Sequence, residues 1–437
     1  MLKIKPVLPS REVCKQHMIE ALHEYFNGKE KLVSELQMGE KRDIEIQGPL
    51  KLIEVQLPDW GACCGINDQI LVPVETITKN SHSDWESVDW WMAAFILLEA
   101  WHERVFEYEN GSIQSYSFRL KGWDSRAWDH AWVNRIGLFL NLWACRKGNI
   151  NEESMGSINK GPSFLMTHDV DAIYKTFPIR IKQFVFNIFN VFVALKKRNF
   201  KLAFSKLSKA FRFLFSNEDW GKLDKVLQYE ENAGLKSMMN FFSDQQKKNL
   251  KRWLFDPSYD LKNKNLQAFI KKLIEKDFIV GIHPGFDTWN NQSLMISQIE
   301  FLSKVIDHTV VSCRQHWLRF SWDITWNVQY TAGIRFDTTM MFNDRPGFRV
   351  SAALKYNPWD HVSNESHMIL SLPSVMMDSH FYDYSFMTDL EREANMSEWI
   401  NEIKFVKGDS AVLWHPHTLA NDYGWENGFL QLLKLIK

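Results

Sequence analysis

The stretch "FLMTHDVDAIYK", residues 164–175, decides how the rest of the chain is read. An apolar run ends abruptly in Thr167, His168, Asp169, Val170 and Asp171. Aspartates at such a place could cap a following helix. They could also be chemistry carried on the carboxyl end of a buried strand. The downstream pattern favours the second reading. Apolar segments "LKSMMNFF", "FIVGIHP", "TVVSCRQH", "IRFDTT", "MILSLPSVMMD" and "AVLWHPH" alternate with helical patterns at 263–276, 290–306, near 322–331 and 388–406. Such alternation implies parallel strands joined by crossovers. About seven units predict an α/β fold, a distorted (β/α) barrel over residues 161–437.

Several of these strands end in polar, metal-competent residues. The first ends in His168, Asp169 and Asp171, and another in His283 with Asp287 four residues on. Others end in Arg314 and His316, in Asp337, and in His415 and His417. Brought to one rim of a barrel, these groups would form a metal or acid–base site. Structural alternatives stay open at each: Asp287 as a cap of helix 290–306, Arg314 in a surface ion pair, His316 packed beside Trp317, and His417 as a bystander to His415.

Composition sets outer bounds. The 437 residues carry a formal net charge of −1, so overall charge points to no anionic partner. Cys14, Cys63, Cys64, Cys145 and Cys313 are too scattered for a disulfide framework and read as reduced thiols, which suits a cytoplasmic setting. The first residues show no apolar signal region. The most apolar stretch, 184–195, is short for a membrane span and carries Asn187 and Asn190. Residues 1–160 read as a smaller, Trp-rich mixed α/β domain, with polar 145–163 as a linker. Most of its Trp side chains are expected in a core rather than on a sugar platform.

A basic helical insertion is expected at 172–230. Residues 172–217 hold ten Lys or Arg and no acid. Phe200, Phe204, Leu207, Phe211 and Leu214 recur at helical spacing. Such a helix either packs on the barrel with a solvated basic face, or lies on an anionic membrane through 175–212. Nucleic acid is not expected, since no recognised binding fold accompanies the charge.

The strings "MTHDVDAIY", "GIHPGFDTW", "CRQHWLRF", "AGIRFDTTMMFNDRPGFR", "LPSVMMD" and "LWHPH" together resemble the polysaccharide deacetylase family (NodB homology, carbohydrate esterase family 4), in its divergent bacterial subgroup with a Trp-rich N-terminal domain. The resemblance implies a NodB-like barrel and a metal-dependent hydrolase that removes acetyl groups, N-linked, from a bacterial surface polysaccharide or its precursor. It makes Asp169 the general base, Arg314 its partner and His415 the general acid. It implies a divalent cation, zinc first with nickel or cobalt as alternatives, on Asp171, His283 and Asp287, with His316 able to substitute. Trp317, Asp337 and His417 would face the glycan substrate, Asp337 more as a residue that orients others than as one that does chemistry. Two departures stand out: Val170 occupies the family's usual ligand position, and Asp287 stands where a second imidazole is usual. A barrel that binds glycan without turnover, as a scaffold, is therefore the alternative. The expected location is the cytoplasm, peripheral at the inner face of the membrane if the insertion docks there.

Overall fold

The computed structural model describes residues 4–41, 43–78, 84–150, 158, 160–196, 198–246, 249–384 and 387–437. In chain order the strands are β1 (Leu52–Gln56), β2 (Gln69–Pro73), β3 (Ser163–Val170), β4 (Met238–Phe241), β5 (Ile279–Ile282) and β6 (Ser312–Cys313). They continue as β7 (Phe336–Asp337), β8 (Trp359–Asp360), β9 (Glu365–Ser366), β10 (Leu370–Ser371), β11 (Ser374–Met377) and β12 (Asp409–Leu413).

The expected α/β barrel is present as a curled sheet of eight strands, ordered β10-β7-β6-β5-β4-β3-β12-β11. Every neighbouring pair in it is parallel. The two edge strands are halves of one extended stretch, 370–377, interrupted at Pro373. One half pairs with β7 and the other with β12. Proline has no N–H to give a ladder, so the sheet passes from one neighbour to the other at that residue and returns to its own start.

Helix starts follow from side-chain caps. Asn263 accepts the N–H groups of Asn265 and Leu266 at the head of Lys264–Glu275. Asn291 caps Gln292–Ile306. Thr388 and Glu391 form a reciprocal box before Asp389–Phe405. The short helix expected near 322–331 is Thr325–Thr331. These crossovers bury one apolar core against the sheet, including Leu273, Met295, Leu302, Met396 and Phe429.

The front part is mostly helical, with the antiparallel β1–β2 pair as its sheet. "DWWMAAFILLEAWHERVF" folds as two helices, Trp90–Leu98 and Trp101–Asn110. The chain turns at Ala100, in the left-handed region (φ 44°). The buried Glu99 beside it accepts from His17 at 2.8 Å and from Arg104 at 2.6 Å. Trp90, Trp91 and Trp101 are buried, and their core takes in Phe320, Trp322, Trp326 and Tyr356 from beyond β6. The linker expected at 145–163 is helix up to Lys147 and strand from Ser163; residues 151–157 and 159 lie outside the described residues.

The insertion is a pair of helices, Phe177–Lys196 and Phe200–Phe215, packed along one another. The first extends beyond the apolar run 184–195. Over its 20 residues it is long and apolar enough to cross a membrane by length and composition alone.

Candidate metal centre and acid–base site

The strand β3 sorts its polar residues by alternation, since successive side chains point to opposite faces. His168 turns to the outer face, where its ring meets Trp414 O at 2.6 Å and Glu230 Oε1 at 2.7 Å. It is a buried structural histidine. Thr167, Asp169 and, just past the strand end, Asp171 turn toward the opposite side. There they meet His283 after β5, Arg314 and His316 after β6, and His415 after β12.

Asp171 is the hub. Its Oδ1 lies 3.3 Å from His283 Nε2 and 3.7 Å from His316 Nε2. Its Oδ2 lies 3.6 Å from His415 Nε2. One ligand atom from each of Asp171, His283 and His316 falls within 4.8 Å of the others, so the three form a group that could hold a metal ion. Two observations fit this use. Asp171 Oδ1 is buried and has no hydrogen-bond partner. His283 Nδ1 donates to Arg314 O at 2.8 Å, which leaves Nε2 as the nitrogen facing Asp171. His316 Nδ1 faces the Asp256 carboxylate at 3.6 Å, beyond hydrogen-bond length, and its Nε2 is the nitrogen turned to Asp171.

The electrostatics match the geometry. Burial alone would raise the Asp171 carboxyl, but the neighbouring imidazoles of His283, His316 and His415 outweigh it and hold Asp171 well below the usual carboxylate range. Burial dominates at His316 and keeps that imidazole below its ordinary value despite Asp256. Burial would also lower His283, and there the Asp169 and Asp171 carboxylates win and raise it. His415 is the extreme case: Asp378 overcomes burial and brings the imidazole to about 10.

Asp169 is buried beside this group. Its Oδ1 accepts from Asn240 Nδ2 at 2.9 Å, and its Oδ2 lies 3.8 Å from His283 Nδ1. Asn240 stands opposite Gly281 in the β4–β5 ladder. A Cβ on Gly281 would come within 2.2 Å of Asn240 Oδ1, so glycine leaves room for the amide that holds Asp169. Arg314 is fully buried rather than a surface cation. Its guanidinium donates to Thr167 Oγ1 at 2.6 Å, Thr338 O at 3.1 Å and Ser374 Oγ at 2.7 Å, and comes within 3.7 Å of Asp169 Oδ1. It ties β3, β6 and β11 together under the site.

Two expected positions need correction. Asp287 lies outside the cluster: its carboxylate takes Lys251 Nζ at 2.7 Å and Arg319 Nη1 at 3.1 Å at the surface. Asp337 does not reach the cavity either. It is buried and accepts from Thr339 N at 3.0 Å, Thr339 Oγ1 at 2.6 Å and Gln329 Nε2 at 2.8 Å, which fixes the turn after β7. Trp317 and His417 do line the cavity. Trp317 and Leu318 both have positive φ, 57° and 49°, a strained pair of the kind that gathers at functional sites. His417 stacks on Trp220 with ring centroids 5.5 Å apart, and burial brings it down to about 4.

Sequence reasoning missed three partners: Asp378, Asp256 and Asn240. Asp378 ends the β11 run "SVMMD" and so carried the same strand-end signal as the others. Asp256 follows the short helix Leu250–Phe255, and Asn240 lies within a four-residue strand; neither had a signal.

The whole group opens into a cavity of about 670 Å³. Leu318, Met377 and Leu413 line it and, with Met341, form an apolar cluster of their own.

No family model matches this chain, and no curated protein sequence matches it. Among solved structures, a crystal structure provisionally described as a polysaccharide deacetylase from Mycobacterium smegmatis aligns with a TM-score of 0.37 and 15% identity, over 63% of this chain and 83% of that one.

Proposed function

We propose that the chain is a metal-dependent hydrolase that removes acetyl groups, N-linked, from a bacterial surface glycan or its precursor. One observation carries the reading: Asp169, Asp171, His283, His316 and His415, from four separate strand ends, converge on one cavity. Asp171, His283 and His316 would hold the cation, zinc first by the mixed imidazole and carboxylate donors. When bound, a divalent cation supplies Lewis acidity toward the acetyl carbonyl and makes nearby water more acidic.

The chain's own residues do the rest. Asp169, kept in place by Asn240, accepts the proton of the attacking water. The Trp317 backbone N–H serves as a donor to the oxygen that gains charge in the transition state. His415 Nε2 gives a proton to the leaving nitrogen as the C–N bond breaks, while Asp378 keeps Nδ1. Acetate and a free amine result. The Leu318, Met377 and Leu413 surface suits the acetyl methyl. The scaffold alternative rests on Asp287 standing in place of an imidazole, and His316 provides that imidazole.

The test is acetate release from N-acetylated amino-sugar oligosaccharides with zinc, nickel or cobalt supplied, alongside metal content of the purified chain. No acetate from any of them, together with no retained metal, would remove the proposal.

A further inference from the structure

The helix Phe200–Phe215 is inside out. A soluble helix turns its apolar stripe to the core and its charges to water. Here Phe200, Phe204, Leu207, Phe211 and Phe215, spaced on one stripe, are all exposed, Phe204 to 75%. The inward face instead carries Ala203, Lys206, Ala210 and Phe213. Lys206 is 1% exposed and pairs with Asp383 at 2.5 Å. The companion helix Phe177–Lys196 likewise exposes Val185, Phe186, Phe189 and Phe192, the last to 66%. Exposed apolar area this continuous marks an interaction surface.

Charge selects the occupant. Around the hairpin tip, Lys196, Arg198 and Lys201 are exposed beside Leu195, Phe192 and Phe200, with Arg212 further along. Phenylalanines at an apolar face, flanked by cations on a segment that itself carries no acid, fit the boundary between headgroups and acyl chains of an anionic leaflet. The surface is also continuous with the site. Ile179, Val185, Phe186 and Phe189 form one wall of the cavity that contains Asp171 and His415. Trp253 and Leu254, partly exposed, line the same cavity. The cavity thus has a polar floor and an apolar rim.

We infer that the hairpin 177–215 docks on an anionic membrane surface and opens the site to a glycan carried on a lipid. The lipid lies along the apolar wall and the sugar reaches Asp171. The substrate half of this inference rests on the hydrolase function proposed above; the docking half does not.

The test uses the full chain and two kinds of vesicle, phosphatidylcholine alone and phosphatidylcholine with phosphatidylglycerol. The chain is expected to sediment with the anionic vesicles and not with the neutral ones. Lys201→Ala should weaken that binding about fivefold. The double variant Phe192→Asp, Phe204→Asp should weaken it by more than about tenfold, with Tm and metal content unchanged, since both side chains are exposed. Failure to bind, or binding that the double variant keeps, overturns the docking. So does a dimer of the free chain that the double variant dissolves, because the face would then belong to a second copy. For the substrate half, acetate release is compared on an N-acetylglucosamine glycolipid in anionic vesicles and on a soluble N-acetylglucosamine oligosaccharide. The double variant should lose the first activity by about tenfold and keep the second. Equal loss on both, or none on either, overturns the lipid-carried substrate. Release from neither substrate by the unmodified chain would fall on the hydrolase function, while the vesicle measurement would still stand.

Discussion

His415 Nδ1 lies 2.9 Å from Asp378 Oδ1, and the other oxygen of the same carboxylate accepts the His415 backbone N–H at 2.9 Å. The carboxylate therefore fixes both the ring and the peptide that carries it. Burial would favour a neutral ring, yet Asp378 brings it to about 10, so His415 is protonated at neutral pH and holds its Nε2 proton toward the cavity. A raised pKa is lost when its cause is removed. Asp378→Asn should move the alkaline limb of the kcat profile toward lower pH by more than one unit and lower kcat at pH 8. An unchanged profile would show that His415 is not the acid.

Metal retention should separate the cluster from its surroundings. Asp171→Ala, His283→Ala and His316→Ala are each expected to abolish stoichiometric metal after dialysis, read by elemental analysis. Asp287→Ala should keep it, because that carboxylate is spent on Lys251 and Arg319. Asp256→Ala should weaken affinity by about 10–100-fold, the usual effect of losing the partner that orients a ligand imidazole.

Base and ligand should also separate. Asp169→Asn is expected to retain metal and to lower kcat by about 10²–10⁴, the range for general base catalysis. Gly281→Ala should reproduce part of that loss without touching a polar group. Its Cβ takes the space of Asn240 Oδ1 and turns the amide away from Asp169. Losing a hydrogen bond to a charged group corresponds to roughly a tenfold or larger drop. Metal content should be normal in both.

The division between what was legible in the sequence and what was not follows from geometry. Strand ends were legible because parallel strands deliver their carboxyl ends to one side, so His283, His316 and His415 stood out from the amino-acid order alone. The same rule misled at Asp337, whose two-residue strand turns at once into a hydrogen-bonded loop. Asp287 was misread because a four-residue spacing puts side chains together only on a helix. After His283 the chain runs through Pro284 and Gly285, and the next helix starts at Gln292. Periodicity found the apolar stripe of 200–215 but carries no information about which side of a helix the core lies on. Loop partners such as Asp256 depend on contacts distant in sequence and leave no periodic mark.

The joint between the front helices and the barrel should titrate. Glu402, from the helix Asp389–Phe405, accepts Arg135 Nε at 2.8 Å and Nη2 at 2.6 Å and the Ala131 N–H at 3.1 Å. His130 Nδ1 lies 3.1 Å away. Burial would raise this carboxyl, but His130 and Arg135 outweigh it and bring it from 4.5 to about 2. A carboxylate held down in the folded state stabilises that state fully above the unfolded value and loses the contribution as pH falls through the folded one. The span is worth roughly 3 kcal/mol. Denaturant unfolding should therefore show stability falling between about pH 4.5 and pH 2. Glu402→Gln should be less stable at pH 7 and flatter across that acid range, because the amide leaves Arg135 buried without its charge partner. A variant as steep as the parent would place the acid sensitivity elsewhere in the chain.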